Sequence, residues 1–143
     1  MATPSYAKIN LFLKIGRKLG SGYHNLQSVM QRIELNDNIT IEPLHEDKIM
    51  VESTHPELSS EENLAYKAAL LLKKKYKVKQ GAKIYLEKNI PLQSGLGGGS
   101  SNAATTILNL NKLWGLKLKE KQLIELAMHL GSDVPFFIGE NAA

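Results

Sequence analysis

Apolar residues occupy every second position over residues 7–15: Ala7, Ile9, Leu11, Leu13 and Ile15, with Lys8, Asn10, Phe12 and Lys14 between them. A period of two predicts a strand with one face on a core. Lys8 and Asn10 then share the opposite face. Gly20-Ser21-Gly22 predicts a turn. Residues 26–35 read as a second strand and Asn36-Asp37-Asn38 as a tight turn. Residues 39–42 read as a third strand, halted by Pro43, and Ile49-Met50-Val51 as a short fourth. The period then lengthens. Ser59-Ser60-Glu61-Glu62-Asn63 opens a helix predicted to run to Tyr76, with Leu64, Ala68, Leu71 and Leu72 as its apolar stripe. Ala82, Ile84 and Leu86 alternate again, predicting a strand that ends before Pro91. A helix over residues 100–114 turns Ala103, Ile107, Leu110 and Trp114 to one side, and Gly115 ends it. Another over residues 119–130 turns Leu123, Leu126, Ala127 and Leu130 inward, with Gly131 as its cap. Phe136-Phe137-Ile138 begins a further apolar run.

Strands first, then helix, strand, helix, helix: this order predicts an α+β fold, a mixed sheet with helices packed on one side. With 143 residues there is room for one ordinary domain, and no repeat, linker or low-complexity tract divides it. The chain stops at Asn141-Ala142-Ala143, just after an apolar run has begun. The expectation is a single domain over residues 1–143, cut from a longer protein whose second domain is absent.

Composition narrows the classes. Hydrophobic residues at 43% and charged residues at 22% are a globular balance. The absence of cysteine excludes a disulfide scaffold and a cysteine zinc site, and suits a reducing cytoplasm. His45, His55 and His129 show no ligand spacing, so no transition-metal site is expected. No stretch approaches the roughly 20 apolar residues of a membrane span, and the start of the chain lacks the apolar run of a signal peptide. Asn38-Ile39-Thr40 fits the glycosylation pattern, which carries no meaning in a cytoplasmic protein. A net charge of +4 fits a mildly basic protein, or one with an anionic partner such as a nucleotide, phosphate ester or RNA. Lys73-Lys74-Lys75 and Lys117, Lys119 and Lys121 fall on predicted helices or helix starts, where a solvated face is expected.

The most informative segment is Pro91-Leu92-Gln93-Ser94-Gly95-Leu96-Gly97-Gly98-Gly99-Ser100-Ser101-Asn102-Ala103-Ala104. So many glycines carry a large entropy cost, tolerable where a backbone must approach something closely. A strand precedes the segment and a helix follows. The first N–H groups of that helix have no intrahelical partner and favour an anion. Ser100, Ser101 and Thr105 add hydroxyls within reach of phosphate oxygens or magnesium. No lysine follows a glycine as the Walker loop requires, Ser100 stands where the dinucleotide fingerprint needs glycine or alanine, and a protein-kinase glycine loop joins two strands. A flexible linker would not run straight into an amphipathic helix.

This segment resembles the signature of the GHMP kinase superfamily, Pro-x-x-x-Gly-Leu-Gly/Ser-Ser-Ser-Ser/Ala, with glycines in the middle. Three further segments agree in order: Ala7-Lys8-Ile9-Asn10-Leu11-Phe12-Leu13, Gly22-Tyr23-His24-Asn25-Leu26-Gln27-Ser28 and Gly131-Ser132-Asp133-Val134-Pro135-Phe136-Phe137. Together they are most similar to the branch acting on a cytidine diphosphate-linked methylerythritol in non-mevalonate isoprenoid biosynthesis. Gln93-Ser94 depart from the smaller residues of that branch and bear on local loop shape.

The resemblance implies an N-terminal ATP-binding domain, ATP with Mg2+, a small-molecule substrate, and neither nucleic acid nor membrane as partner. It implies that Pro91, Gly95, Leu96, Gly97, Gly98, Gly99, Ser100 and Ser101 hold phosphate, and that Asn63 and Lys88 line the adenine pocket. From the residues alone, Asn63 also reads as a helix cap and Lys88 as a surface lysine. Asp133 reads equally as the cap of a following turn. The resemblance makes it the base, with Lys8 pairing with it and stabilising charge on the attacking oxygen; a solvated lysine is the ordinary alternative. By the same resemblance Asn10 hydrogen-bonds substrate, Tyr23 stacks on the cytosine ring and His24 bonds the ring's edge. Two other functions fit less of the chain: a GHMP kinase acting on homoserine, mevalonate or a sugar, and an RNA-binding module of similar fold.

Overall fold

The computed structural model describes residues 2–18 and 24–142. The elements run β1 (Thr3–Lys18), β2 (His24–Leu44), β3 (Ile49–Ser53), a single 3-10 turn (Pro56–Leu58), α1 (Leu64–Lys75), β4 (Gly81–Glu87), α2 (Gly98–Leu113), α3 (Glu120–Met128) and α4 (Val134–Ala142). The four strands form one sheet in the order β1-β2-β4-β3. β1 pairs with β2, and β2 with β4, antiparallel; β3 pairs with β4 in parallel. The parallel pair needs a crossover, and α1 supplies it. The sheet is mixed, with helices on one side, as predicted.

The core lies between the sheet and the helices. Ile39, Ile49, Ala82, Ile84 and Leu86 meet Ala65, Ala68, Ala69 and Leu72 of α1, Ala103, Ala104, Ile107 and Leu110 of α2, and Phe137 and Ile138 of α4. The other face of the sheet carries Thr40, Glu42, Glu52, Lys83 and Tyr85, with Lys83 Nζ 3.2 Å from Glu52 Oε1.

Several expectations change. β2 is one continuous strand through Asn36-Asp37-Asn38. Asn and Asp favour turns because they bond their own backbone. Here the Asp37 carboxylate is fully buried and bonds other segments, so the local competition is lost. Pro43 does not halt the strand either. The β1 partner ends at the Thr3–Ile39 pair, so β2 has an open side at Pro43, where a missing N–H breaks no ladder bond. The predicted core face of β1 holds at Ala7, which is buried, and fails at Leu11, which is exposed. Lys8, expected opposite the core, is buried as well. Lys73 is not on a solvated face: its ammonium donates to the Val78 carbonyl at 2.7 Å and pairs with Asp47. Lys74, Lys75, Lys117, Lys119 and Lys121 are exposed.

α1 starts at Leu64, later than its polar prelude suggests, because Asn63 caps it: Asn63 Oδ1 accepts from Ala65 N–H at 2.8 Å. The predicted α1 stripe is rotated: Ala65, Ala69 and Lys73 are buried with Ala68 and Leu72, while Leu64 and Leu71 are half-buried. The apolar run at residues 136–138 belongs to α4, whose Pro135 sits in the first turn, where no intrahelical N–H is needed. The predicted turn at residues 20–22 lies outside the described residues; Lys18 and His24 pair on either side of it.

Candidate active site

β4 ends at Glu87, and residues 88–97 carry the chain over to α2. Gly97 occupies the cap position of α2 in the left-handed region, φ 73° and ψ 21°. A side chain there would be strained, and it would also collide: a Cβ would lie 2.9 Å from Lys8 Cγ and 3.0 Å from Phe137 Cζ. The first bond inside the helix is Ser101 N–H to the Gly97 carbonyl, at 2.8 Å. The N–H groups of Gly98, Gly99 and Ser100 therefore start the helix without an intrahelical acceptor. A Cβ at Gly99 would meet nothing within 4 Å, so a ligand can come right up to the backbone there.

These groups face a cavity of about 520 Å³ walled by the glycine segment on one side and by Leu58, Asn63 and Leu64 on the other. A nucleotide fits a space of this size, and the donors at its floor suit phosphate. Asn63 lines the cavity while serving as the α1 cap, its Nδ2 donating to the Leu58 carbonyl at 2.8 Å. Ser100 lines the cavity; Ser101 does not, and its hydroxyl meets Ser5 Oγ at 2.8 Å inside the molecule. Thr105 is likewise buried away from the cavity. Among the described residues no cluster of three histidines or acidic residues could hold a metal. A magnesium ion bound with a nucleotide takes most of its ligands from phosphate and water, and of Ser100, Ser101 and Thr105 it is Ser100 that lines the cavity.

Lys8 lies beside this floor. Its backbone N–H donates to the Leu96 carbonyl at 2.8 Å, which ties β1 to the loop. The tie is made where the β1–β2 register slips: Tyr6 pairs with Asn36 but Lys8 with Arg32. The Lys8 side chain runs under Gly97, 5% exposed, and ends with Nζ 3.7 Å from Asp133 Oδ2. Asp133 immediately precedes α4 and is 39% exposed. It stands immediately before the helix, where its reading as a cap would place it. The pair thus has a buried cation against a carboxylate open to solvent, within ion-pair reach and longer than a tight hydrogen bond. Asn10 follows on the same face of β1, exposed, opposite Met30. Tyr23 lies outside the described residues, and His24 opens β2.

A second polar group underlies the loop, and three of its members were not singled out in the sequence: Ser5, Asp37 and Asn102. Asp37 Oδ1 accepts from the N–H groups of Asn89, at 2.6 Å, and Ile90, at 2.8 Å. Its Oδ2 accepts from Lys88 Nζ at 2.5 Å and Asn102 Nδ2 at 3.1 Å. Lys88 Nζ also donates to Asn102 Oδ1 at 2.8 Å, and Asn102 Nδ2 to Ser5 Oγ at 3.0 Å. Lys88 is therefore not a surface lysine; its side chain is 3% exposed. The sequence did hold one signal for Asp37. It lies two residues before Ile39 on one strand, so it shares the core face, and a carboxylate there requires partners.

The sequence profile described as "GHMP kinases N terminal domain" matches residues 63–140. The chain is 46% identical over 140 residues to the 4-diphosphocytidyl-2-C-methyl-D-erythritol kinase of Clostridioides difficile (strain 630), an alignment covering 97% of this chain and 47% of that protein. It is 49% identical over 140 residues to the protein of the same name from Acinetobacter baumannii (strain ACICU), covering 97% and 50%. A crystal structure of 4-(cytidine 5'-diphospho)-2C-methyl-D-erythritol kinase superposes with a TM-score of 0.82 at 36% identity, over 98% of this chain and 49% of that one. A crystal structure of mevalonate kinase superposes with a TM-score of 0.68 at 20% identity, over 91% and 46%, and shares the fold. The chain spans about half the length of the curated relatives it matches.

Proposed function

The chain belongs to the GHMP kinases, and from that membership we propose that it forms the ATP-binding part of an enzyme that phosphorylates the 2-hydroxyl of 4-diphosphocytidyl-2-C-methyl-D-erythritol, in non-mevalonate isoprenoid biosynthesis. The observation that carries this reading is the buried Lys8 ammonium, fixed beneath Gly97 and aimed at Asp133 beside the open start of α2. Relatives of that name at 46% and 49% identity support the choice of acceptor.

In this reading ATP occupies the cavity with its adenine towards Asn63 and Lys88 and its phosphates against the N–H groups of Gly98, Gly99 and Ser100. Pro91, Gly95 and Leu96 shape the approach, and Ser101 holds the helix start from within. Magnesium accompanies ATP and shields its phosphate charge. Phosphoryl transfer asks chiefly for alignment and charge stabilisation. Asp133 accepts a hydrogen bond from the acceptor hydroxyl, directs that oxygen at the γ-phosphorus and gives its proton a place to go. The bond from the γ-phosphorus to the bridging oxygen breaks as the new one forms, leaving ADP. Lys8 balances the negative charge gathered between Asp133 and the attacking oxygen. Asn10 bonds the substrate, Tyr23 stacks on the cytosine ring and His24 bonds its edge. Such an enzyme works in the cytoplasm on a small molecule, without nucleic acid or membrane. Among the described residues no helix is long and apolar enough to cross a membrane.

The test is Asp133→Asn in the full-length protein. Turnover is expected to fall by about 10³-fold, in the range of a lost general base, while ATP binding stays. The wild type is expected to phosphorylate the cytidine-bearing acceptor and to leave mevalonate and homoserine untouched. Undiminished turnover by Asp133→Asn would sink the assignment.

A further inference from the structure

The buried group behind the glycine loop joins side chains from four segments. Ser5 comes from β1, Asp37 from β2, Lys88 from just after β4, and Asn102 from near the start of α2. Asp37 is the hub. Its two oxygens do different things: Oδ1 holds the backbone N–H groups of Asn89 and Ile90, and Oδ2 holds the Lys88 ammonium and the Asn102 amide. An ammonium as buried as that of Lys88 needs a counter-charge and fixed acceptors. Asp37 and Asn102 take two of its three protons. The same ammonium lies 3.4 Å from where a Gly98 Cβ would stand, at the first residue of α2, and Lys88 lines the nucleotide cavity.

Resting on the nucleotide reading above, we propose that Asp37 is a positioning residue for ATP: by holding the buried Lys88 ammonium it fixes Lys88 in the cavity wall and sets the start of α2 against the end of β4. Lysine is a flexible point charge. Without the carboxylate, its position under Gly98 is no longer defined, and a buried cation is left without its counter-ion. Asp37 touches neither nucleotide nor acceptor and acts through Lys88 and Asn102. Its loss therefore falls on nucleotide binding more than on the chemical step.

The two oxygens allow a selective test. Asp37→Asn can keep an acceptor for Asn89 and Ile90 while presenting an NH2 group where Lys88 and Asn102 need an acceptor. In the full-length protein, Kd and KM for ATP are expected to rise about tenfold, the scale of one charge-assisted hydrogen bond lost, with the acceptor KM little changed. Lys88→Met and the double variant Asp37→Asn/Lys88→Met complete a cycle. If Asp37 acts through Lys88, the double variant binds ATP as Lys88→Met does, and it melts above Asp37→Asn because no unpaired cation remains. Losses in ATP affinity that add, or a lowered Tm with ATP affinity intact, overturn the proposal and leave Asp37 a stabilising residue alone. A wild type that binds no ATP overturns the nucleotide reading and this inference with it. A wild type that binds ATP, with additive losses, overturns this inference alone.

Discussion

At Gly97 backbone and side-chain demands meet. The left-handed φ of 73° disfavours any L side chain, and the space a Cβ would take is filled by Lys8 and Phe137. Gly97→Ala is therefore expected to cost about 1–2 kcal/mol in stability from the backbone alone. It should also push the Lys8 side chain off its line to Asp133, lowering kcat by about 100-fold, as small misplacements at a reacting centre do. Thermal melts and steady-state kinetics on the same preparation check both; an unchanged kcat would detach Lys8 from the reaction. Lys8 and Asp133 could be picked out in the sequence because each sits in a segment with a recognisable order of residues. Nothing local in Lys8 says that it is buried. Its alternation with Ala7 and Ile9 points outward, and it is the loop 88 residues further on that covers it, through the Leu96 carbonyl and Gly97. Asp37 was hidden more thoroughly, since Asn-Asp-Asn is a turn signal whose pull is undone by distant partners.

Among the helices, α2 and α3 were the easiest to read. α2 and α3 carry strong apolar stripes, and their ends moved by two residues or fewer from the expected ones. α4 was missed as a helix because its short apolar run after a proline has no readable period, and only packing against α2 and α3 decides it. The join between β2 and β3 shows how a single buried lysine organises a corner. Lys73 reaches from the last turn of α1 to the Val78 carbonyl and to Asp47, so α1 is tied at both ends, by Asn63 at its start and Lys73 at its finish. The hydrogen bond from Lys73 holds the Asp47 carboxyl below its ordinary value of 3.8. A depressed carboxyl stabilises the fold above the unfolded value and loses that contribution as pH falls through the folded one. Asp47→Asn should abolish this part of the acid dependence. Melting temperatures of the wild type and the variant are expected to differ at neutral pH and to converge below pH 3.8; a constant gap between them would contradict the clip.

In the whole molecule, Lys8 of β1 and Phe137 of α4 converge on Gly97, where the loop after β4 enters α2 beside the cavity. The order of elements announced the layer arrangement, because strands with period two and helices with period 3.6 leave few ways to bury both. Of the wall opposite the loop only Asn63 was picked out in the sequence as a site residue; Leu58, in a 3-10 turn, and Leu64, at the start of α1, carry no signal of their own. A second cavity, of about 640 Å³, lies around Tyr66, Leu70 and the lysines at the end of α1, and offers an anion an alternative place. The two sites differ in how they are built: the first has helix N–H groups without acceptors, the second has lysine side chains beside Asp47 and Glu61. The most direct test of the account is a titration of the full-length protein with a non-hydrolysable ATP analogue, followed by the amide resonances of the backbone. The account predicts saturable shifts concentrated at Gly95 to Ser101, with smaller ones at Lys8 and Lys88. Saturable binding that leaves those amides unmoved and shifts Tyr66 and Lys73 to Lys79 instead would contradict it.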